Sequence, residues 1–211
     1  FLYRVKKEAV PSGPCLILIT PDSERTMCTF LGTAGKINEI DINESTVKQS
    51  EITFLEGYLW DKGEPQKAFQ KAINHSNITA MSLSDIFCVE RHKEFFLDLV
   101  INKLNIIFAN EQEIMQLIET KNFKDVIEFA RKIKKLIVIT RGAKGSIAIQ
   151  NEKIEECEAK KNLSIKDLTG AGDLFAAGFL HGYLNRSSLK ESLETGTDMS
   201  AKIIQQFGAR L

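Results

Sequence analysis

Apolar residues along the chain form short continuous runs that alternate with longer amphipathic stretches from about residue 64 onward. The runs at 78–83, 104–109 and 136–140 predict strands that are buried on both faces. Between the last two, apolar residues recur at helical spacing over 123–133 and predict a helix with one buried stripe. Such strands separated by helices indicate a mainly parallel sheet covered on both faces, which is a three-layer α/β/α domain.

The rest of the chain divides at about residue 35. Before it, 15–20 and 25–31 predict a hairpin around the turn at Pro21, and 1–35 as a whole is interpreted as strands and turns. After it, 36–211 is interpreted as the α/β domain. Its remaining predicted strands are 52–58, 146–149 and 154–157, and its remaining predicted helices are 64–75, 90–103, 111–119, about 171–184 and about 188–206.

Composition and charge narrow the class of protein. The 211 residues include 28 basic and 28 acidic side chains, so the basic excess of a nucleic-acid-binding protein is missing. No apolar run approaches the ~20 residues that cross a bilayer, and no secretory signal is visible, so we expect a cytoplasmic protein without a membrane partner. The scattered cysteines, each in or beside an apolar stretch, predict buried reduced thiols. Because the chain begins with Phe1, we expect a fragment of a longer protein.

The most informative stretch is Asp167-Leu-Thr-Gly-Ala-Gly-Asp173, followed by Leu-Phe-Ala-Ala-Gly-Phe. Small residues at 170–172 let backbone amides approach a ligand, and a helix N-terminus favours an anion such as phosphate. A carboxylate at Asp173 then makes sense if it takes a proton from a hydroxyl that attacks that phosphate. The alternative is a helix start whose aspartate complements the dipole and whose glycines allow close packing. For Gly-x-Gly-Asp alone that alternative is the better interpretation.

The longer motif resembles the C-terminal signature of the ribokinase-like, PfkB-type carbohydrate kinases. The resemblance implies that Asp173 is the catalytic base and that the amides of Gly170, Ala171 and Gly172 form an anion hole. Thr169 then lies at the nucleotide site. Asp167 matches a position that holds a monovalent cation, K⁺, in some members.

Further segments follow in the family's order. Asn110-x-x-Glu113, after a buried strand, fits a helix capping box, and by resemblance it also organises Mg²⁺ through water. Three positions after the next strand, Thr140, Gly142 and Gly145, match a loop that lines the nucleotide pocket. Ala201 lies on a late helix near the adenine in the family, although its neighbours could equally be core. The implied cofactors are ATP and Mg²⁺.

The acceptor is less well defined by sequence. Short stretches around Met81–Phe87 and Ser23–Met27 resemble the adenosine kinase and sugar kinase subgroup, which favours an adenosine-like nucleoside over a sugar. The alternatives are fructose or another sugar, or a catalytically silent nucleotide-binding fragment. The family's early glycine motif, substrate aspartate and most of its small β-lid have no counterpart here, so 1–35 is interpreted as a partial lid. We expect a monomer or homodimer.

Overall fold

The computed structural model describes residues 10–22 and 24–211. The first nine residues of the predicted lid and Ser23 of its predicted turn lie outside this part of the chain. The strands are β1 (Cys15–Ile19), β2 (Arg25–Thr29), β3 (Ile52–Glu56), β4 (Ile78–Ser82), β5 (Ile106–Asn110), β6 (Leu136–Thr140), β7 (Ser146–Gln150) and β8 (Lys153–Cys157). The helices are α1 (Glu44–Gln49), α2 (Glu64–His75), α3 (Ile86–Asp98), α4 (Glu111–Leu117), α5 (Phe123–Ile133), α6 (Ala171–Leu184) and α7 (Leu189–Ile203).

Six strands form one sheet in the order β3-β4-β5-β6-β7-β8. The first four are parallel, whereas β7 and β8 continue the sheet as an antiparallel meander. The two central parallel strands are almost entirely apolar, because both of their faces are covered and neither meets water. The mainly parallel sheet and the meander predicted from the sequence are both confirmed.

Helices cover the two faces of the sheet as separate layers. Alternate residues of each strand point to opposite faces, so Ile107 belongs to one core and the adjacent Phe108 to the other. The first core lies under α2, α3, α4 and α5, and the second lies under α6 and α7. In the second, Phe108 meets Phe179 edge to face at 5.6 Å between ring centroids. The three-layer architecture is therefore confirmed.

Helix α3 begins four residues before the predicted start at Glu90. The Asp85 carboxylate accepts the Phe87 amide at 2.8 Å and caps the helix at that earlier point. At its other end, Leu99–Lys103 continues as a π-helical turn, which closes with a 2.9 Å bond from the Leu104 amide to the Leu99 carbonyl. The six-residue α1, capped by Asn43, was not predicted at all.

The hairpin β1-β2 is a separate two-stranded antiparallel sheet, which is consistent with a lid. It lies apart from both cores, and large apolar side chains such as Leu16 and Leu18 are exposed. Cys15 and Cys28 are therefore exposed, so the expectation of buried thiols is wrong for them and correct for Cys88 and Cys157. All four cysteines are free. Among the described helices, none is long and apolar enough to cross a membrane.

Candidate active site

The carboxyl ends of the four parallel strands lie side by side and carry polar residues. Strand β3 ends at Glu56 beside Ser82, and β5 ends at Asn110 beside Thr140. In open α/β sheets this edge is where ligands bind, since each strand gives way there to a loop or a helix N-terminus. Two of the sequence-predicted positions, Asn110 and Thr140, are thus direct neighbours across β5 and β6.

Helix α6 begins at the Gly-Ala-Gly segment. Gly170 adopts the left-handed conformation with φ of 79° as the N-cap, which a side chain would disfavour. The Ala171 amide, one of the three predicted anion-hole donors, instead donates to the Leu168 carbonyl at 3.2 Å and closes the preceding turn. Within the described part of the chain, the Gly172 and Asp173 amides donate no hydrogen bond, since the next amide that does so is that of Leu174, to the Gly170 carbonyl. These two donors at a helix N-terminus are therefore free to bind an anion.

Asp173 is exposed in the first turn of α6. A Cβ built on the preceding Gly172 would meet no atom within 4 Å, so the space above this turn is open. Asp173 and the exposed Gly172 before it are therefore accessible to solvent. Such access is needed by a residue that contacts a diffusing substrate. Ala171 completes the turn beneath them and is half-buried.

Glu56 is a site residue that the sequence reasoning missed. Burial raises the pKa of its carboxyl to about 7, and the negative charge of Asp173 adds to the rise. Asp173 on α6 therefore lies within electrostatic reach of the end of β3. Ser84 opposes the shift because its hydroxyl donates to Glu56 Oε2 at 3.1 Å. A carboxylate at the end of a strand on this edge was the available sequence signal.

Ser84 and Gly57 allow the ends of β3 and β4 to pack closely against each other. Ser84 has a φ of 72°, which is uncommon for a residue with a side chain, and its hydroxyl also accepts the Tyr58 amide at 3.3 Å. A Cβ on Gly57 would lie 2.9 Å from the Leu83 carbonyl oxygen, so only glycine allows this approach. The two strand ends are therefore held in a defined relative position beside Asp173.

Asn110 and Glu113 form the capping box that their spacing predicted. The Glu113 amide donates to Asn110 Oδ1 at 2.8 Å, and Glu113 Oε2 accepts the Asn110 amide at 2.9 Å. Glu113 Oε1 accepts a further bond from Asn110 Nδ2 at 2.6 Å. Burial raises the pKa of Glu113 to about 7, against the lowering effect of the Asn110 bonds and with a contribution from Asp85. Within the described residues, no group of three or more acidic, His or Cys side chains could hold a metal.

The two glycines of the loop after β6 differ in their surroundings. Gly142 has a φ of 56° and open space where a side chain would stand. Gly145, with a φ of 91°, lies against β8, since an added Cβ would be 2.0 Å from the Cys157 carbonyl oxygen. Gly145 is thus required by packing, whereas Gly142 leaves room for a ligand beside Thr140.

Asp167 is buried and joins two distant segments. Its Oδ1 accepts the Thr169 amide at 2.8 Å and the Thr169 hydroxyl at 2.6 Å, and its Oδ2 accepts the Gly208 amide at 2.9 Å. Burial alone would raise the pKa of Asp167, but these hydrogen bonds outweigh it and the pKa lies below its ordinary value. Ala209 then packs against Gly170, at 3.1 Å from an added Cβ. The C-terminal segment therefore supports the Gly-Ala-Gly turn.

Ala201 lies in the last turns of α7 and is half-buried. Its carbonyl accepts Gln205 Nε2 at 2.9 Å. One turn earlier, the Thr197 hydroxyl lies 3.5 Å from Ser146 Oγ at the start of β7. Through that contact α7 approaches the loop that carries Gly145, so Ala201 is connected to that loop through its own helix.

Arg25 on β2 of the hairpin acts electrostatically on residues at this edge of the sheet. Its positive charge helps to lower the pKa of Asp167 and opposes the rise in the pKa of Tyr58 that burial causes. Both residues belong to segments around the α6 N-terminus or the end of β3. Sequence reasoning did not assign Arg25 to the site, although it lies within the stretch Ser23–Met27 that resembles the subgroup.

Comparisons with known proteins agree on one family. The family model of pfkB family carbohydrate kinases matches residues 2–211. An adenosine kinase from Dictyostelium discoideum is 30% identical over 230 residues, which cover 98% of this chain and 66% of that protein. The structure of an adenosine kinase from Sinorhizobium meliloti superposes with a TM-score of 0.92 at 36% identity, covering 95% of this chain and 63% of that one.

A second solved structure, of a probable sugar kinase from Rhizobium etli, has a TM-score of 0.91 and 34% identity, with 97% of this chain and 64% of that chain covered. The chain thus spans slightly less than two thirds of the length of these relatives. The range matched by the family model, 2–211, includes every residue of the candidate site.

Proposed function

The chain belongs to the pfkB family of carbohydrate kinases, and from this membership we propose that the protein transfers the γ-phosphoryl group of ATP to a hydroxyl of an adenosine-like nucleoside. The observation that carries the proposal is the first turn of α6. There the exposed Asp173 carboxylate stands beside two unpartnered amides and an open space above Gly172. A proton acceptor next to an anion-binding helix N-terminus is the combination that phosphoryl transfer to a hydroxyl needs.

In the proposed reaction Asp173 accepts the proton of the acceptor hydroxyl. The hydroxyl oxygen forms a bond to the γ-phosphorus, the bond from that phosphorus to the bridging oxygen breaks, and ADP leaves with the electron pair. The Gly172 and Asp173 amides donate to the phosphoryl oxygens while their charge is redistributed. Because these donors are fixed by the helix, no reorganisation accompanies the step. Orientation and electrostatic stabilisation would supply most of the rate enhancement.

Mg²⁺ would screen the phosphate charges, and the residues near Asn110 fit it only through water. Both carboxylate oxygens of Glu113 already accept hydrogen bonds from Asn110, so the pair can orient water but offers no free ligand set. Mg²⁺ keeps several waters in most protein sites, so this arrangement is compatible with it. Glu113 thus combines the capping role with a proposed place near the metal.

Arg25 is the cation that we propose approaches the phosphates from the hairpin. Its charge already acts on Asp167 beneath the Gly-Ala-Gly turn, and the strand that carries it is outside both cores. A cation that reaches the site from a small separate sheet could complete the anion-binding surface when the hairpin closes. Closure would also exclude water from the reacting groups.

The choice of a nucleoside acceptor rests on similarity. Adenosine kinases are among the relatives that match nearly the whole chain, which favours adenosine over ribose. A sugar acceptor is the second candidate, because the probable sugar kinase is almost equally similar. The Asp173 chemistry is the same in both cases.

The test is ATP consumption by the protein expressed from its complete reading frame, with Mg²⁺ and a panel of adenosine, other nucleosides, ribose and fructose. Asp173→Asn is the loss-of-function variant. Asp125→Asn is its matched control, because Asp125 occupies the same third position of α5 and is also exposed. We expect turnover with adenosine, a loss of at least about 10³-fold in Asp173→Asn with ATP binding retained, and nearly unchanged turnover in the control.

Each other outcome is informative. Turnover with a sugar alone would replace the acceptor and keep the mechanism. ATP binding without turnover on any acceptor would favour a silent nucleotide-binding module. Loss of ATP binding in a folded Asp173→Asn protein would contradict the assigned role of Asp173.

A further inference from the structure

Glu111 joins two cationic residues of the loop 141–145, which we call the nucleotide loop. Its Oε2 lies 2.8 Å from Arg141 Nε, and its Oε1 lies 3.0 Å from Lys144 Nζ. The side chains of Glu111 and Arg141 are only 21% and 20% exposed, so this pair is better shielded from water than ordinary surface ion pairs. One carboxylate thus connects the first residue of α4 with both charged residues of the loop.

Arg141 is held from a second direction as well. Its guanidinium lies over the Phe123 ring, 4.0 Å from the centroid, so the first residue of α5 supports it. Each carboxylate oxygen of Glu111 accepts one cationic donor, Oε2 from Arg141 Nε and Oε1 from Lys144 Nζ. Arg141 is therefore held between α4 and α5, and its loop is held with it.

The loop is closed internally and packed on its other side. The Arg141 amide donates to the Gly145 carbonyl at 2.8 Å, which ties the two ends together. Gly145 then lies against the Cys157 carbonyl of β8. With one side seated on β8, the Glu111 contacts determine how the loop lies relative to α4 and hence to Asn110, which immediately precedes Glu111.

We propose that Glu111 is a positioning residue that holds the nucleotide loop in the conformation that binds ATP, and so sets the affinity for ATP rather than the rate of transfer. Glu111 contacts the loop and not the reacting groups, which lie at the α6 N-terminus. This inference rests on the proposed function, since it assumes that the loop beside Gly142 receives the nucleotide.

Glu111→Gln tests the inference because glutamine keeps the size of the side chain and removes its charge. In steady-state assays we expect the KM for ATP to rise about tenfold, the size expected for a charge-assisted hydrogen-bond contribution. We expect kcat and the KM for the acceptor to stay within about twofold. Arg141→Gln should raise the KM for ATP similarly, and the double variant should lose less than the sum of the two single effects, because both substitutions remove the Glu111–Arg141 pair.

Glu152→Gln is the matched control. Glu152 forms an ion pair with Arg131 at 3.3 Å. It follows the end of β7, where Gln150 lies opposite Leu136, the first residue of β6. This pair is therefore at the other end of the strands from the candidate site. This control should leave the KM for ATP unchanged. A KM for ATP in Glu111→Gln within twofold of the unsubstituted protein, or fully additive effects of the two substitutions, would overturn the inference.

A second measurement separates this inference from the proposed function. The Kd for ATP is measured by calorimetry in each variant, so the loop is tested even if no acceptor supports turnover. Absence of turnover in the unsubstituted protein counts against the proposed function, whereas an unchanged Kd in Glu111→Gln counts against the positioning role. If Glu111→Gln fails to fold, Arg141→Gln and Lys144→Gln carry the same comparison from the loop side.

Discussion

The Ser84 hydroxyl donates a 3.1 Å hydrogen bond to Glu56 Oε2 while its backbone holds a φ of 72°. The same hydroxyl accepts the Tyr58 amide, so one residue in an uncommon conformation fixes the end of β3. Strained residues persist where the surroundings over-determine them, and such positions cluster at functional sites. Here the residue that Ser84 orients is Glu56, a half-buried carboxyl whose pKa is raised by burial and by the charge of Asp173.

Ser84→Ala and Ser84→Gly separate the hydrogen bond from the strain. Alanine removes the bonds to Glu56 and Tyr58 and keeps the unfavourable φ, so we expect a loss of about 1–3 kcal/mol in the free energy of unfolding. Glycine removes the same bonds but adopts a positive φ freely, so we expect it to be about 1 kcal/mol more stable than alanine. Urea denaturation measures both. Equal stabilities of the two variants would show that the conformation of Ser84 carries no strain.

The raised pKa of Glu56 predicts how stability depends on pH. The folded-state pKa of about 7 exceeds the ordinary value of 4.5, so the folded protein binds the proton more tightly than the unfolded chain does. The associated stability is fully present below pH 4.5 and is lost as the pH rises to about 7. Glu56→Gln should therefore become more stable relative to the unsubstituted protein between pH 4.5 and 8, by about 2 kcal/mol after allowance for partial exposure.

Thermal or urea unfolding at pH 5 and pH 8, with EDTA to exclude divalent metals, measures this difference. Burial also raises the pKa of Glu113 to about 7, and the negative charge of Glu56 contributes to that rise. Glu56→Gln should therefore lower the pKa of Glu113 as well, which removes part of the remaining pH dependence. A Glu56→Gln protein whose stability follows the unsubstituted protein at both pH values would contradict the burial of this carboxyl.

The sequence was sufficient to predict the strands of the sheet and most of the helices. Helix α2 was predicted to the residue, because Gly63 and Pro65 mark its start and the apolar pattern ends with it. Strand β6 was also predicted to the residue, since its apolar run is bounded by polar residues. Local signals of this kind act within a few residues and can be read without the fold.

The missed features depend on contacts between distant parts of the chain. The approach of Asp173 to Glu56 requires α6 to cover the edge at which β3 ends, and no local pattern specifies that placement. Asp167 likewise binds an amide 41 residues away, at Gly208. The early start of α3 was different, because its cap at Asp85 was a local signal that the predicted start at Glu90 did not use. The motif located Asp173, whereas the neighbours of Asp173 required the structure.

Gly172→Ala should separate function from folding at the α6 N-terminus. A Cβ at this position would meet no atom within 4 Å and the residue has an ordinary φ, so the fold should be kept. Because alanine favours helix, we expect stability to be unchanged or about 0.5–1 kcal/mol higher. The methyl group would occupy the open space where the phosphoryl group is proposed to bind, so we expect kcat/KM for ATP to fall at least about tenfold. Steady-state kinetics and urea denaturation of one preparation measure both effects.

Gly196→Ala is the contrasting variant, because there the glycine serves packing. An added Cβ would lie 2.7 Å from the Phe175 carbonyl oxygen, at the contact between α7 and α6. We expect a loss of about 1–3 kcal/mol in unfolding free energy with little specific effect on ATP. If Gly172→Ala were as destabilising as Gly196→Ala, the space above α6 would not be open and the proposed phosphoryl site would lose its main support.

Asp167→Asn tests whether the C-terminal segment supports the Gly-Ala-Gly turn. Asparagine can still accept the Thr169 bonds through its oxygen, but its amide nitrogen would face the Gly208 N–H, and two donors cannot pair. We expect a loss of about 1–3 kcal/mol at pH 7, because a buried donor is left without a partner.

The lowered pKa of Asp167 means that its stabilisation is present above the ordinary value of 3.8 and is lost as the pH falls through the folded-state value. The difference in stability between Asp167→Asn and the unsubstituted protein should therefore shrink at pH 3. Asp198→Asn is the control, because it breaks the half-exposed pair with Lys160. It should change stability by less than about 1 kcal/mol at pH 7. A difference that stays constant from pH 7 to pH 3 would mean that the Asp167 carboxylate does not hold Gly208, and the link from the C-terminal segment to Gly170 would have to come from the packing of Ala209 alone.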